Sequence, residues 1–404
     1  MNALAARAGA LALALGAGDA PAPQAAPAAP PAAATAPASA PVAIDAGLRR
    51  QVTEAVDGAR EWLVTHQNKD GSFGSFKSER WWEISASVPS AHEAFRFATS
   101  ALCVMALDQC ARPNEATAKG ASRGIDWMLA HNKVKRNDGS EFYNTWALGY
   151  GLQSYGEYLA RHPEDARKLA IGAAIRATLD RLPHYQVIDG GFAYYDFGVQ
   201  AQPPSWSSTS FTTATVLIGI ERAQKLGFMA PPKVVEKATK LLASNQIPEG
   251  SYLYGRYLWT RPRMGINLPK GSACRTPGND YALELFGQPP KRGAYVESLE
   301  NLCTKYVGFQ QIAVHRPIPH EAWYNISGYF YLYGFYYAAV VLEEKLPVDE
   351  QHRLFPALAR GVLYCREKDG SFWDYPMYDY HYQYGTAYAL LALSRAPKGF
   401  FDSP

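Results

Sequence analysis

Asp379 and His381 stand two residues apart in the segment DYPMYDYHYQYGTAYALLAL that begins at Asp374. A carboxylate beside an imidazole can orient a general base. On a strand the two side chains would share a face; on a helix they would diverge. Asp374 and Asp379 also offer the two carboxylates that glycoside hydrolysis needs across the scissile bond. These three are the candidate catalytic residues, and Tyr378, Tyr380 and Tyr382 surround them. Tyr194, Tyr195, Asp196 and Trp206 form a second cluster. His320, Glu321, Trp323, Tyr324 and Asn325 form a third, leading into the run Tyr329 to Tyr337. Aromatic faces can stabilise a cation or underlie a sugar, and buried tyrosines can equally serve packing. The candidate ligand-binding set is Tyr194, Asp196, Trp206, His320, Trp323, Tyr324, Tyr329, Tyr378 and Tyr382. No metal or other cofactor is expected, because the five cysteines (Cys103, Cys110, Cys274, Cys303, Cys365) lack zinc-ligand spacing.

The elements that must position these residues follow from a recurring turn. Acid-Gly-small-aromatic occurs as Asp70-Gly71-Ser72-Phe73, Asp189-Gly190-Gly191-Phe192, Glu249-Gly250-Ser251-Tyr252 and Asp369-Gly370-Ser371-Phe372, with a looser copy at Asp138. The acid can cap its own turn and the glycine supplies positive φ. Successive acids are 68, 51, 60 and 120 residues apart, so one marker is lost near residue 309. Six units of about 60 residues result, each with room for two helices. Before each marker runs an amphipathic helix; QVTEAVDGAREWLVTHQ places Val52, Ala55, Val56, Ala59, Trp62 and Leu63 on one face. After the markers come YNTWALGYGLQSYGEYL, STSFTTATVLIGIERA and YGTAYALLALS, apolar or small on every side, as helices enclosed by protein are.

Alternating wet and dry helices predict an all-α fold, an (α/α)6 toroid of two concentric helix rings; an open superhelical solenoid is the alternative. Each cluster lies between a marker position and a dry helix. In the toroid those segments share one end, so the clusters are expected to converge on the mouth of a central cavity. The stretch from Tyr252 to Asn279, with three prolines, predicts a fourth inner position that is partly loop, a candidate lid.

The 404 residues, 48% hydrophobic, suffice for a large core in one big domain or two ordinary ones. The net charge of +3 is spread along the chain, which argues against a nucleic-acid partner. Residues 1–22 contain one arginine before a short apolar run and read as an export signal, too short to span a bilayer as a helix. Residues 23–43 are an Ala/Pro-rich linker expected to be extended and disordered. The toroid domain is 44–404. A periplasmic or secreted location is expected; a cytoplasmic one, with the start codon placed too far upstream, is the alternative.

The turns and their helices, above all HQNKDGSFG and REKDGSFW followed by YGTAYALLAL, resemble the QW-type repeats of squalene and oxidosqualene cyclases and of protein prenyltransferase β subunits. The likeness spans residues 45 to 395 and includes the outer-helix glutamines Gln67 and Gln246. It implies the toroid and an isoprenoid-type ligand. It does not carry over the reactions. Where the cyclases have Asp-x-Asp-Asp, this chain has Thr209-Ser210-Phe211-Thr212, before Thr213-Ala214. Where the prenyltransferases hold zinc, it has Ser327-Gly328-Tyr329 and Gly385. Whether the protein is an enzyme is left open. Three readings remain: a small apolar ligand bound, or transformed, in an aromatic cavity; an exported glycan-active or glycan-binding toroid; a non-catalytic interaction module.

Overall fold

A computed structural model describes residues 45–78, 89–134, 141–142, 144–193, 195–196, 207–316, 320–321 and 326–401. The expected export signal (1–22) and linker (23–43), and Tyr194, Trp206, Trp323, Tyr324 and Asn325, lie outside the described residues. Of Tyr195, Asp196, His320 and Glu321 only the backbone is described.

The chain alternates between two sets of helices. One set is α1 (Ala46–Thr65), α3 (Glu115–Ala130), α5 (Lys168–Tyr185), α7 (Pro232–Ser244), α10 (Ala294–Glu300) continuing through α11 (Val307–Ala313), and α13 (Val348–Leu363). These are amphipathic; α1 buries Val52, Ala55, Val56, Ala59, Trp62 and Leu63, the face its spacing predicts, and Asp45 caps its first turn. The other set is α2 (Pro89–Gln109), α4 (Asn144–Arg161), α6 (Ser210–Gln224), α9 (Thr276–Leu285), α12 (Tyr331–Lys345) and α14 (Tyr380–Ser394). In α12 every residue from Tyr331 to Leu342 is buried, and in α6 every residue from Ser210 to Glu221. Each helix of this second set packs on the next, and α14 packs on α2, so the inner ring closes. The fold is an α/α toroid. The fourth inner position is short, as its prolines predict: a 3-10 turn at Arg256–Leu258 and the single turn α8 (Pro269–Ser272) precede the ten residues of α9.

The marker turns hold the rings together. Asp70, Asp189 and Asp369 each accept a backbone N–H two residues on. The next aromatic N–H then reaches a hydroxyl on the following inner helix: Phe73 to Ser100 at 2.9 Å, Phe192 to Thr213 at 3.0 Å, Phe372 to Thr386 at 2.9 Å. Gln67 Nε2 donates to Gly71 O at 2.8 Å and to Gly120 O of the next outer helix at 2.9 Å. Gln186 repeats this with Gly190 O and Val234 O. Gln246, the other glutamine that carries the resemblance, is exposed, and the partner of Gln67 in the repeat is Gln186. Asp369 accepts from Trp62 Nε1 at 3.1 Å, joining the sixth unit to the first. At the lost marker the outer helix is broken by a π-helical turn, Asn301–Lys305.

The rings are parallel-stranded in the sense that all inner helices start at one end. There, two short antiparallel pairs link described segments: β1 (Glu141–Phe142) with β2 (Tyr195–Asp196), and β3 (His320–Glu321) with β4 (Ile326–Ser327). At the opposite end Arg222 of α6 gathers Glu157, Glu221, Glu344 and the Tyr281 hydroxyl, and Arg395 pairs with Glu343.

Candidate functional site

The expected axial hollow is interrupted at mid-depth. Gln153 of α4 donates from Nε2 to the Tyr337 hydroxyl of α12 at 3.1 Å and to Thr215 O of α6 at 2.9 Å. Tyr333 donates to Phe211 O at 3.3 Å, and the Tyr150 and Tyr388 hydroxyls are hydrogen-bonded to each other. Helices α4 and α12 sit opposite one another in the ring, so the Gln153–Tyr337 bond crosses its centre. Every one of these tyrosines is buried, and burial pushes their hydroxyl pKa values up, which keeps them neutral donors.

Above this plug, at the end where the inner helices start, six aromatic rings meet. Phe211 lies 5.6 Å from Trp146, 4.5 Å from Phe330 and 6.0 Å from Tyr254. Tyr329 lies 4.2 Å from Phe330 and 6.0 Å from Tyr375, and its hydroxyl is 2.9 Å from that of Tyr254. Trp146, Phe211 and Phe330 come from the starts of α4, α6 and α12; Tyr254 and Tyr375 follow the fourth and sixth marker turns. Trp146 and Tyr329 are half-buried, and the rim beside Tyr254 carries Tyr257 and Trp259, 51% and 62% exposed. One end of the ring is thus an aromatic floor, the other an ionic seal.

The candidate catalytic residues are held by different partners. Asp374 is fully buried and accepts from Leu332 N at 3.0 Å, Tyr375 N at 2.7 Å and the Tyr384 hydroxyl at 3.2 Å. It therefore tethers the first turn of α12, an end that needs acceptors. Burial pushes its carboxyl up to about 6. Asp379 immediately precedes α14 and accepts from Ser75 Oγ at 2.9 Å; it is half-buried, and burial raises its pKa. His381 is in the first turn of α14, and two residues on a helix point about 200° apart. Its ring sits edge-on to Trp373 at 5.2 Å and beside Tyr382 at 4.1 Å. The contacts of His381 are thus to Trp373 and Tyr382 and that of Asp379 to Ser75, while the Asp374 carboxylate faces two backbone donors and the Tyr384 hydroxyl.

The rest of that segment splits likewise. Tyr378, at φ +48°, is edge-on to His92 at 4.8 Å, and Tyr380 stacks on Phe95. Tyr382 turns outward toward Trp62 of α1. Tyr329 alone of the candidates with described side chains belongs to the aromatic floor. Sequence reasoning missed Trp146, Phe211, Tyr254, Phe330 and Tyr375. A usable signal was present: Trp146 and Phe211 are aromatic residues in the first turn of a dry helix, and Phe330 directly precedes one.

No protein-family model matches the sequence, and no curated protein matches it. Among solved structures, the chain is similar to a variant of the type II terpene cyclase MstE from Scytonema without ligand, at 14% identity and a TM-score of 0.50, covering 87% of this chain and 99% of that one. A second MstE variant, in complex with merosterolic acid A (product), gives 15% identity and a TM-score of 0.50 over the same coverage. An inactive variant of the α-1,6-mannanase GH76A of Salegentibacter, in complex with α-1,6-mannotriose, gives 11% identity and a TM-score of 0.51, covering 85% of this chain and 99% of that one. At these identities the likeness establishes the α/α-toroid fold, which serves both chemistries.

Proposed function

We propose that this toroid binds a long apolar, isoprenoid-type ligand against the aromatic floor of its mouth. The observation that carries this is the convergence of Trp146, Phe211, Tyr254, Tyr329, Phe330 and Tyr375 from five different repeats into one cluster, in which Trp146 and Tyr329 are the half-buried members. Such rings offer large apolar area at small entropic cost, against which an apolar chain can pack. The tyrosine plug limits the depth of the seat, so the ligand lies across the mouth rather than down the axis. Binding is favoured over turnover. Protonating an alkene demands a strong acid held toward the substrate; the carboxyl of Asp374 is weakened by burial and points at backbone N–H groups.

The exposed Tyr257 and Trp259 favour a second reading, in which the rim stacks on sugar rings. Native mass spectrometry of the purified chain, followed by lipid extraction, tests the first. A co-purifying isoprenoid that is lost in Phe330→Ala supports it. A ligand-free protein that binds an oligosaccharide and ignores prenyl alcohols would overturn it.

A further inference from the structure

Directly beneath the floor lies a charge with no counter-charge among the described residues. Arg275 is fully buried at the start of α9. Its guanidinium sits 5.3 Å from the Tyr254 ring centroid and 5.6 Å from that of Phe330. One terminal nitrogen donates to Ile266 O, and the other has a long contact to Ser210 Oγ at 3.4 Å. Among the described residues Nε has no hydrogen-bond partner and no carboxylate pairs with the group. One turn further along the same face is Asn279, also fully buried, with neither Oδ1 nor Nδ2 hydrogen-bonded to any described residue. Three unmet polar atoms on successive turns are a costly arrangement, and an unpaired buried cation the costliest part of it.

Resting on the reading above, we propose that Arg275 and Asn279 form an anion seat, and that the apolar ligand carries a carboxylate or phosphate head group which this seat takes up. The guanidinium is a planar fork suited to two oxygens of one anion, Asn279 Nδ2 adds a donor, and the start of α9 contributes its positive end. Tyr254 and Phe330 then serve two purposes. Their faces hold the cation in the empty state, and their edges bound the apolar tail in the filled one. The half-buried Tyr329, hydrogen-bonded to Tyr254, is the ring a head group would have to pass.

The test titrates the full chain, by calorimetry, with geranylgeranyl monophosphate, geranylgeraniol and inorganic phosphate. The monophosphate should bind about tenfold to a hundredfold more tightly than the alcohol, the range of charge-assisted hydrogen bonds. Arg275→Gln should erase that advantage and leave the alcohol unchanged. Asn279→Leu provides a second arm: it removes two unmet polar atoms, so the ligand-free melting temperature should hold or rise while monophosphate affinity drops about tenfold. Equal binding of ester and alcohol sinks the anion seat and leaves the floor intact. Phosphate binding that depends on Arg275, with neither prenyl compound gaining affinity from its tail, keeps the seat and sinks the apolar reading. No binding by any of the three probes sinks both. An Asn279→Leu protein that melts lower and binds the ester as before marks the pair as scaffold.

Discussion

Asp280 gives the sharpest stability prediction. It is 2% exposed in α9, and the Tyr252 hydroxyl donates to its Oδ1 at 2.6 Å. Burial lifts its carboxyl from the ordinary 3.8 to about 7, with the Tyr252 bond opposing the rise. Between about pH 4 and about pH 7 the folded chain keeps a proton that the unfolded chain has released. The folded state binds more protons, so stability must fall as pH rises through that window and level off above it. At about 1.4 kcal/mol per pH interval, the loss is roughly 4 kcal/mol. Asp280→Asn keeps an acceptor for Tyr252 and has no charge to bury. Urea denaturation of both proteins from about pH 4 to pH 8 should show their stability difference moving in favour of the variant by roughly 2–4 kcal/mol. Any fixed cost of the new amide cancels in that trend, as does the titration of Asp374, which both proteins share. A difference that stays flat with pH would refute the claim that a carboxyl is sealed beside Tyr252.

The ring's seams allow further checks. Gln67→Ala and Gln186→Ala each strip a donor from two carbonyls and should cost about 1–3 kcal/mol in denaturation, whereas Gln246→Ala should change stability by less than about 0.5 kcal/mol. Gly71 has φ +95°, and a Cβ there would come within 2.5 Å of Arg123 O, so Gly71→Ala should cost more than about 2 kcal/mol. Gly250, at φ +81° with nothing within 4 Å of that position, should lose only about 1 kcal/mol on the same change. Asp379→Asn and His381→Ala should act additively in a double-mutant cycle, within about 0.5 kcal/mol, because helix geometry turns the two side chains apart.

The sequence by itself determined the toroid. Periodicity assigned Val52 to Leu63 to a buried stripe and left α6, α12 and α14 dry all round, and that alternation admits few arrangements other than nested rings. The shortened fourth inner position was legible in its prolines. These are local properties, set by side-chain spacing and backbone chemistry. What the tertiary structure alone decided is which side chains meet. Asp374, Asp379 and His381 are neighbours in the chain, yet the turn into α14 sends one beneath α12, one toward Ser75 and one against Trp373. Trp146, Phe211, Phe330 and Arg275 lie far apart in the chain and come together because ring closure brings the starts of different inner helices to one end. A spacing pattern reports the face a residue occupies on its own helix; it carries no information on what the opposite side of the ring supplies, and here that decides both the plug and the floor.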